Sequence, residues 1–258
     1  MNIQNLNCLI DLHLHLDGSL PLHTVKELAE QQGITLQMTD GELKKKLSVP
    51  AGCRDLNEYL TKFEFPLTLM QTPEALEKCM HDLLTELEGQ GVQYCEVRFA
   101  PQLHTQKGMS QNEVIEAVKA GLYSVAGVKP ESIHAGIILC CMRGSDNGQQ
   151  NKITVEEAAR HLGSGVCAVD LAGAEALYPT EQYADLFAYA KQLRIPVTIH
   201  AGEAAGTESI RAAVAMGAAR IGHGIRAAYD AETMELLKEH HITPVSYTHL
   251  RAHETGRN

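Results

Sequence analysis

Tryptophan is absent from this chain and aromatic residues make up only 5% of it, so its core must be built largely from aliphatic side chains. No stretch approaches the roughly 18 uninterrupted apolar residues of a membrane-spanning helix. Nor does the N-terminal segment carry a basic start, long apolar centre and small-residue cleavage site. No membrane partner is therefore expected, and the expected compartment is the cytoplasm. No run of Lys or Arg is longer than Lys44 to Lys46, and the formal net charge is −10, which argues against a nucleic-acid backbone as partner and favours a small neutral or cationic ligand. The seven cysteines include no C-x-x-C pair and lie mostly in apolar runs. Buried free thiols are the expected state, with a disulfide or thiolate metal site as the alternative.

What is present is an alternation. Across 258 residues, short apolar, β-rich runs near 8–14, 92–100, 133–142, 165–171, 195–200, 219–224 and 242–246 alternate with helical patterns at 22–32, 73–89, 110–126, 154–162, 180–193, 207–216 and 230–240. This is the pattern of repeated βα units around a parallel sheet, either a barrel or a doubly wound sheet. The first connection, about 17–91, is much longer than the others. In it "CRDLNEYLTKFEFPLTLM" has amphipathic spacing through Leu56, Tyr59, Leu60 and Phe63, which fits either a lid over the strand ends, at about 54–66, or an ordinary packing helix. From about Val245, the stretch "SYTHLRAHETGRN" has no apolar run long enough for a strand, so the expectation is that an eighth βα unit is missing.

The chemistry concentrates at strand ends. In "LIDLHLHLDGSL", His13 and His15 are two residues apart on a strand and point to one face, at the separation two ligands of a single metal require. The alternative is a pair of satisfied core histidines, but two titratable rings are costly where a barrel interior expects aliphatics. "IPVTIHAGE" ends an apolar run in His200, with Glu203 three residues on, and "ARIGHGI" ends another in His223. Carboxyl ends of parallel strands are where catalytic groups converge. Neutral imidazoles binding Zn²⁺ with a position left open, beside a carboxylic acid that handles protons, suit metal-activated attack by water, with Glu203 the natural proton carrier.

"HLHLDG" at 13–18, "DLAGAE" at 170–175, "HAGE" at 200–203 and "RIGHG" at 220–224 together resemble the adenosine deaminase family of metal-dependent hydrolases. "VQYCEVRFAPQLH" and "YLTKFEFP" are similar to that family's second strand and lid helix. The resemblance implies a (β/α)8 TIM-type barrel, incomplete here at about seven βα units, spanning residues 1–244 and followed by a non-family tail at 245–258. It also implies one Zn²⁺ per chain on His13, His15 and His200. Glu203 would protonate the purine ring nitrogen N1, and His223 would orient or deprotonate the water attacking C6. His15, Asp17 and Gly173 would hold a small-molecule purine nucleoside, and adenosine would become inosine and ammonia. The "KFE" and "DLAGAE" segments point to adenosine rather than free adenine. Two alternatives stand beside this: a related aminohydrolase acting on adenine or a modified nucleoside, and a non-catalytic fragment that binds metal or nucleoside.

One departure is specific. The family places two consecutive aspartates, a fourth metal ligand and a purine partner, at the end of its eighth strand, and this sequence contains no Asp-Asp pair. The expectation is a chain truncated before that strand, with activity reduced or lost. His249 and His253, spaced i and i+4, are candidate substitute ligands. Nothing in the sequence speaks to oligomeric state.

Overall fold

The computed structural model describes residues 9–49, 53, 55–129 and 131–246, and among these seven parallel strands run in chain order. They are β1 (Leu9–His15), β2 (Val92–Phe99), β3 (His134–Met142), β4 (Val166–Ala172), β5 (Thr198–Ala201), β6 (Arg220–His223) and β7 (Thr243–Val245). β1-β2-β3-β4 form one ladder and β5-β6-β7 another. A parallel bridge from Val169 to Val197, with the Val169 N–H donating to Pro196 O at 3.0 Å, joins them. Each strand thus pairs with its neighbour in sequence, the order of a (β/α)8 wall, and seven strands are present among the described residues. β5 begins three residues later than its apolar run suggests, because Pro196 has no N–H to give to a ladder.

Strands buried on both faces read as continuous apolar runs, and β3 is the example: "GIILCC" is buried throughout. The core is aliphatic as the composition requires, with Leu14, Val97, Ile137, Leu139, Val169, Leu171, Ile199 and Ile221 all buried. Six cysteines are free thiols, and Cys8 lies outside the described residues. Burial pushes Cys95 up to about 12, so it packs as an apolar side chain. Arg220 of β6 pairs with Glu96 of β2, and the Tyr94 hydroxyl donates to the same carboxylate at 3.1 Å. Because β2 and β6 are not neighbours, this ion pair ties the two ladders across the barrel interior.

Among the described residues ten α-helices pack around or over the strands: α1 (Leu22–Gln31), α2 (Asp40–Leu47), α3 (Leu56–Leu60), α4 (Glu64–Leu69), α5 (Pro73–Gly89), α6 (Gln111–Tyr123), α7 (Gly148–His161), α8 (Ala184–Gln192), α9 (Thr207–Ala215) and α10 (Ala231–Glu239). Three differ from the sequence reading by more than three residues, the first being α8, which starts at Ala184 and not at 180 because Thr180–Tyr183 forms a 3-10 turn. α2 was not expected, since Leu43 is its single buried residue, but its start is a capping box in which Thr39 and Glu42 satisfy each other's backbone N–H. α7 starts six residues before the expected 154, because part of its buried face is polar. Asn151 accepts from the Met142 N–H at 2.8 Å and donates to Met142 O at 2.9 Å, tying the helix to β3 without an apolar signal. No helix among the described residues is long and apolar enough to cross a membrane. Residue 54, where the expected lid begins, and residues 247–258 of the expected tail, including His249 and His253, lie outside the described residues.

Candidate active site

β1 carries His13 and His15 on one face, β5 carries His200 and β6 ends in His223, so the parallel register brings four imidazoles to the carboxyl end of the strands. His13 Nε2 lies 3.0 Å from His200 Nε2, and His15 Nε2 lies 3.2 Å from the same atom. In a tetrahedral zinc site with bonds of 2.0–2.1 Å, ligand nitrogens sit about 3.3 Å apart. The three histidines therefore fit one metal ion, with every ligand atom within 4.8 Å of the others. Burial, followed by the positive charges of Arg98 and the neighbouring imidazoles, holds His13 well below the usual imidazole value. Burial and then His200 do the same for His15. Both rings are thus in the neutral state that metal ligation needs.

A charged layer lies directly behind. Asp170 of β4 is 0% exposed and its Oδ2 is 2.7 Å from His200 Nδ1. Arg98 of β2, 2% exposed, approaches the same oxygen at 3.2 Å and donates to Leu12 O at 2.9 Å. The Thr198 hydroxyl donates to Asp170 Oδ1 at 2.8 Å. Burial opposes ionisation of Asp170, but His200, Arg98 and Thr198 outweigh it and keep the carboxyl far below its usual range. A carboxylate on the second nitrogen of a ligating histidine fixes its tautomer and raises its basicity.

His223 adopts φ 65°, a left-handed conformation rare outside glycine and a form of strain that clusters at active sites. Its Nδ1 is 3.1 Å from Ser246 Oγ and its Nε2 is 3.4 Å from Glu203 Oε2. The strand beneath must come close to its neighbours: a Cβ on Gly222 would sit 3.0 Å from His13 Cε1 and 3.1 Å from the His200 Cα.

These groups open onto a cavity of about 300 Å³ that His15, Asp17, Gly173, His200, Glu203 and His223 help to line. Part of its lining is apolar and comes from Leu56, Tyr59, Leu60 and Phe63, the stripe that the sequence spacing picked out, and from Leu67 of α4. Asp17 follows β1, is nearly buried, and has an Oδ1 with no partner among the described residues. Burial raises its carboxyl to about 7, against the pull of backbone N–H groups at Asp17 and Gly18. His13, His15, Asp17, Gly173, His200, Glu203 and His223, the seven residues given site roles from the sequence, meet at this one site, while the candidate substitute ligands His249 and His253 lie outside the described residues. Asp170, Arg98 and Glu175 were not singled out. The signal for the first two was a charge of opposite sign inside each of two apolar strands, "CEVRF" and "AVDLAG".

The sequence pattern of the adenosine deaminase family matches residues 8–255. The chain belongs to the adenosine deaminase family. An adenosine deaminase from Haemophilus ducreyi is 48% identical to it over 233 residues, covering 88% of this chain and 67% of that protein. In fold this adenosine deaminase family member is similar to an adenine deaminase from Arthrobacter aurescens, with TM-score 0.79 and 23% identity over 92% of this chain and 70% of that one. It is similar too to an amidohydrolase from Burkholderia ambifaria with bound Zn, at TM-score 0.79 and 18% identity over 92% and 64% of the two chains. The family assigns the chain to the metal-dependent hydrolases, and among the described residues His13, His15 and His200 form a group that fits a metal ion.

Proposed function

We propose that the chain is a cytoplasmic zinc-dependent adenosine deaminase, converting adenosine and water into inosine and ammonia. The observation that carries this reading is the convergence of three histidines whose ligand atoms all lie within 4.8 Å of one another, close enough to share one metal ion, beside Glu203 and His223 on a cavity of about 300 Å³. His13, His15 and His200 hold one zinc ion per chain, which when bound supplies Lewis acidity that brings the pKa of water near 7. Glu203 delivers a proton to the purine nitrogen N1, which makes C6 electrophilic. His223, its ring set by Ser246, takes the proton from the attacking water at Nε2. The oxygen–C6 bond forms, His223 passes the proton it took from water to N6, the C6–N6 bond breaks with release of ammonia, and the hydroxyl proton left on the new oxygen returns to Glu203. Asp17, His15 and Gly173 hold the nucleoside, Asp17 Oδ1 accepting from a substrate N–H or O–H. The segment at about 54–66 serves as a lid whose Tyr59 and Phe63 exclude water.

The test is turnover of the zinc-loaded chain on adenosine, adenine and cytidine, followed by the ultraviolet change on deamination. Adenosine is expected to give the highest kcat/KM. Adenine as the better substrate would replace this assignment with a related purine aminohydrolase, and zinc binding without any turnover would leave a binding fragment.

A further inference from the structure

Glu175 closes the "DLAGAE" segment and takes no part in the chemistry above. It does not line the cavity and is 1% exposed, yet its carboxylate accepts five hydrogen bonds. Four come from consecutive backbone N–H groups, Gly202 at 2.6 Å, Glu203 at 3.0 Å, Ala204 at 2.6 Å and Ala205 at 3.0 Å, and the fifth from the Ser209 hydroxyl at 2.5 Å. These four N–H groups belong to the loop between β5 and α9, so neither ladder nor helix can satisfy them, and a buried unpaired N–H is costly. The loop is wound around one side chain. Its tight start favours glycine, because Gly202 has φ 71° and a Cβ there would fall 2.4 Å from Ile210 Cδ1, so that the Ile210 side chain would have to shift.

The clamp extends behind the loop. Ser209 Oγ is 2.7 Å from Thr180 Oγ1, which accepts from Arg143 Nη2 at 2.9 Å. Arg143 donates from the same nitrogen to His200 O at 2.7 Å and from Nη1 to Tyr178 O at 2.7 Å. One buried polar frame thus joins the segments that follow β3, β4 and β5. It grips the backbone on both sides of the stretch that runs from His200 to Glu203.

We infer that Glu175 is a positioning residue that fixes the 202–205 backbone and so aims the Glu203 carboxyl into the cavity; this rests on the proposed role of Glu203 as proton donor. An amide in place of the carboxylate turns an N–H₂ toward backbone donors and loosens the loop, while the metal ligands on β1 and β5 keep their places.

The experiment compares the zinc-loaded chain with Glu175→Gln and Glu175→Asp, reading kcat and KM for adenosine, bound zinc, and amide hydrogen exchange. Glu175→Gln is expected to lower kcat by at least about thirtyfold with KM within about threefold and zinc content unchanged. Amides 202–205 should exchange at least about tenfold faster while strand amides keep their protection. Glu175→Asp, which keeps the charge, should recover a large part of the loss. Parental kcat in a folded Glu175→Gln, or lost activity with unchanged exchange at 202–205, overturns the inference. Loss of zinc from a folded Glu175→Gln does the same. If Glu175→Gln does not fold, Ser209→Ala decides. Removing one of the five donors should cost about three- to tenfold in kcat with faster exchange confined to the loop, and no change in either overturns the clamp. A parent chain that turns over no adenosine refutes the functional reading instead, and the exchange pattern alone then judges the clamp.

Discussion

Asp170→Asn separates the two tasks that a single buried carboxylate performs. Asparagine keeps the shape, and its oxygen can still accept from the Thr198 hydroxyl or from His200 Nδ1. It removes the negative charge that stands 2.7 Å from His200 and 3.2 Å from Arg98. For the metal, losing a carboxylate behind a ligating histidine typically costs about 10–100-fold in affinity, or about 1.4–2.7 kcal/mol. For the fold, Arg98 is left as an uncompensated cation at 2% exposure, with its bond to Leu12 O giving no neutralisation. Breaking a buried pair in this way costs about 3–5 kcal/mol. In a chain of this size that corresponds to a melting temperature lower by roughly 6–20 °C. Competition against a chelator measures zinc affinity, and thermal unfolding of the metal-free chain measures stability. The double variant Arg98→Met with Asp170→Asn removes the stranded cation and should recover most of the melting temperature without restoring zinc affinity. Parental zinc affinity in Asp170→Asn, or a double variant no more stable than the single one, would refute the reasoning.

Glu203→Gln should lose at least about a hundredfold in kcat, the usual scale for a general acid, while zinc measured by atomic absorption stays at the parental level. Zinc loss there would make Glu203 a ligand. His15→Ala leaves two of three imidazoles and should drop bound zinc far below one per chain after dialysis; full occupancy would move the metal elsewhere. Burial pushes His104 down to about 4, so the unfolded chain takes up that proton before the folded one does. Stability present above about pH 6.5 is therefore lost as pH falls toward 4, at about 1.4 kcal/mol per pH unit and roughly 3 kcal/mol in all. His104→Asn, which keeps a donor for Met70 O, should flatten the pH dependence of the denaturation midpoint by that slope, and identical slopes would place the proton uptake elsewhere.

His13, His15, His200 and His223 were legible in the sequence because a titratable ring at the end of an apolar strand is costly without a task, and parallel strands align their carboxyl ends. The same register hid the layer behind them. Arg98 and Asp170 stand 72 residues apart, and only the pairing of β2 with β3 and β3 with β4 turns two isolated charges into a pair. Glu175 was quoted within a motif, but its partners are backbone N–H groups, which leave no mark on a sequence. Helix α7 was half hidden for a related reason, since Asn151 and Thr154 fill buried positions where periodicity looks for apolar residues.

Central to the account is that His13, His15 and His200 hold the metal on which adenosine turnover depends. Titrating zinc into the metal-free chain while recording bound metal and inosine formation tests this most directly. Activity that rises with occupancy and saturates at one zinc per chain is the predicted result. Activity that is unchanged by zinc, or occupancy of one that persists when His15 is replaced by alanine, would contradict it.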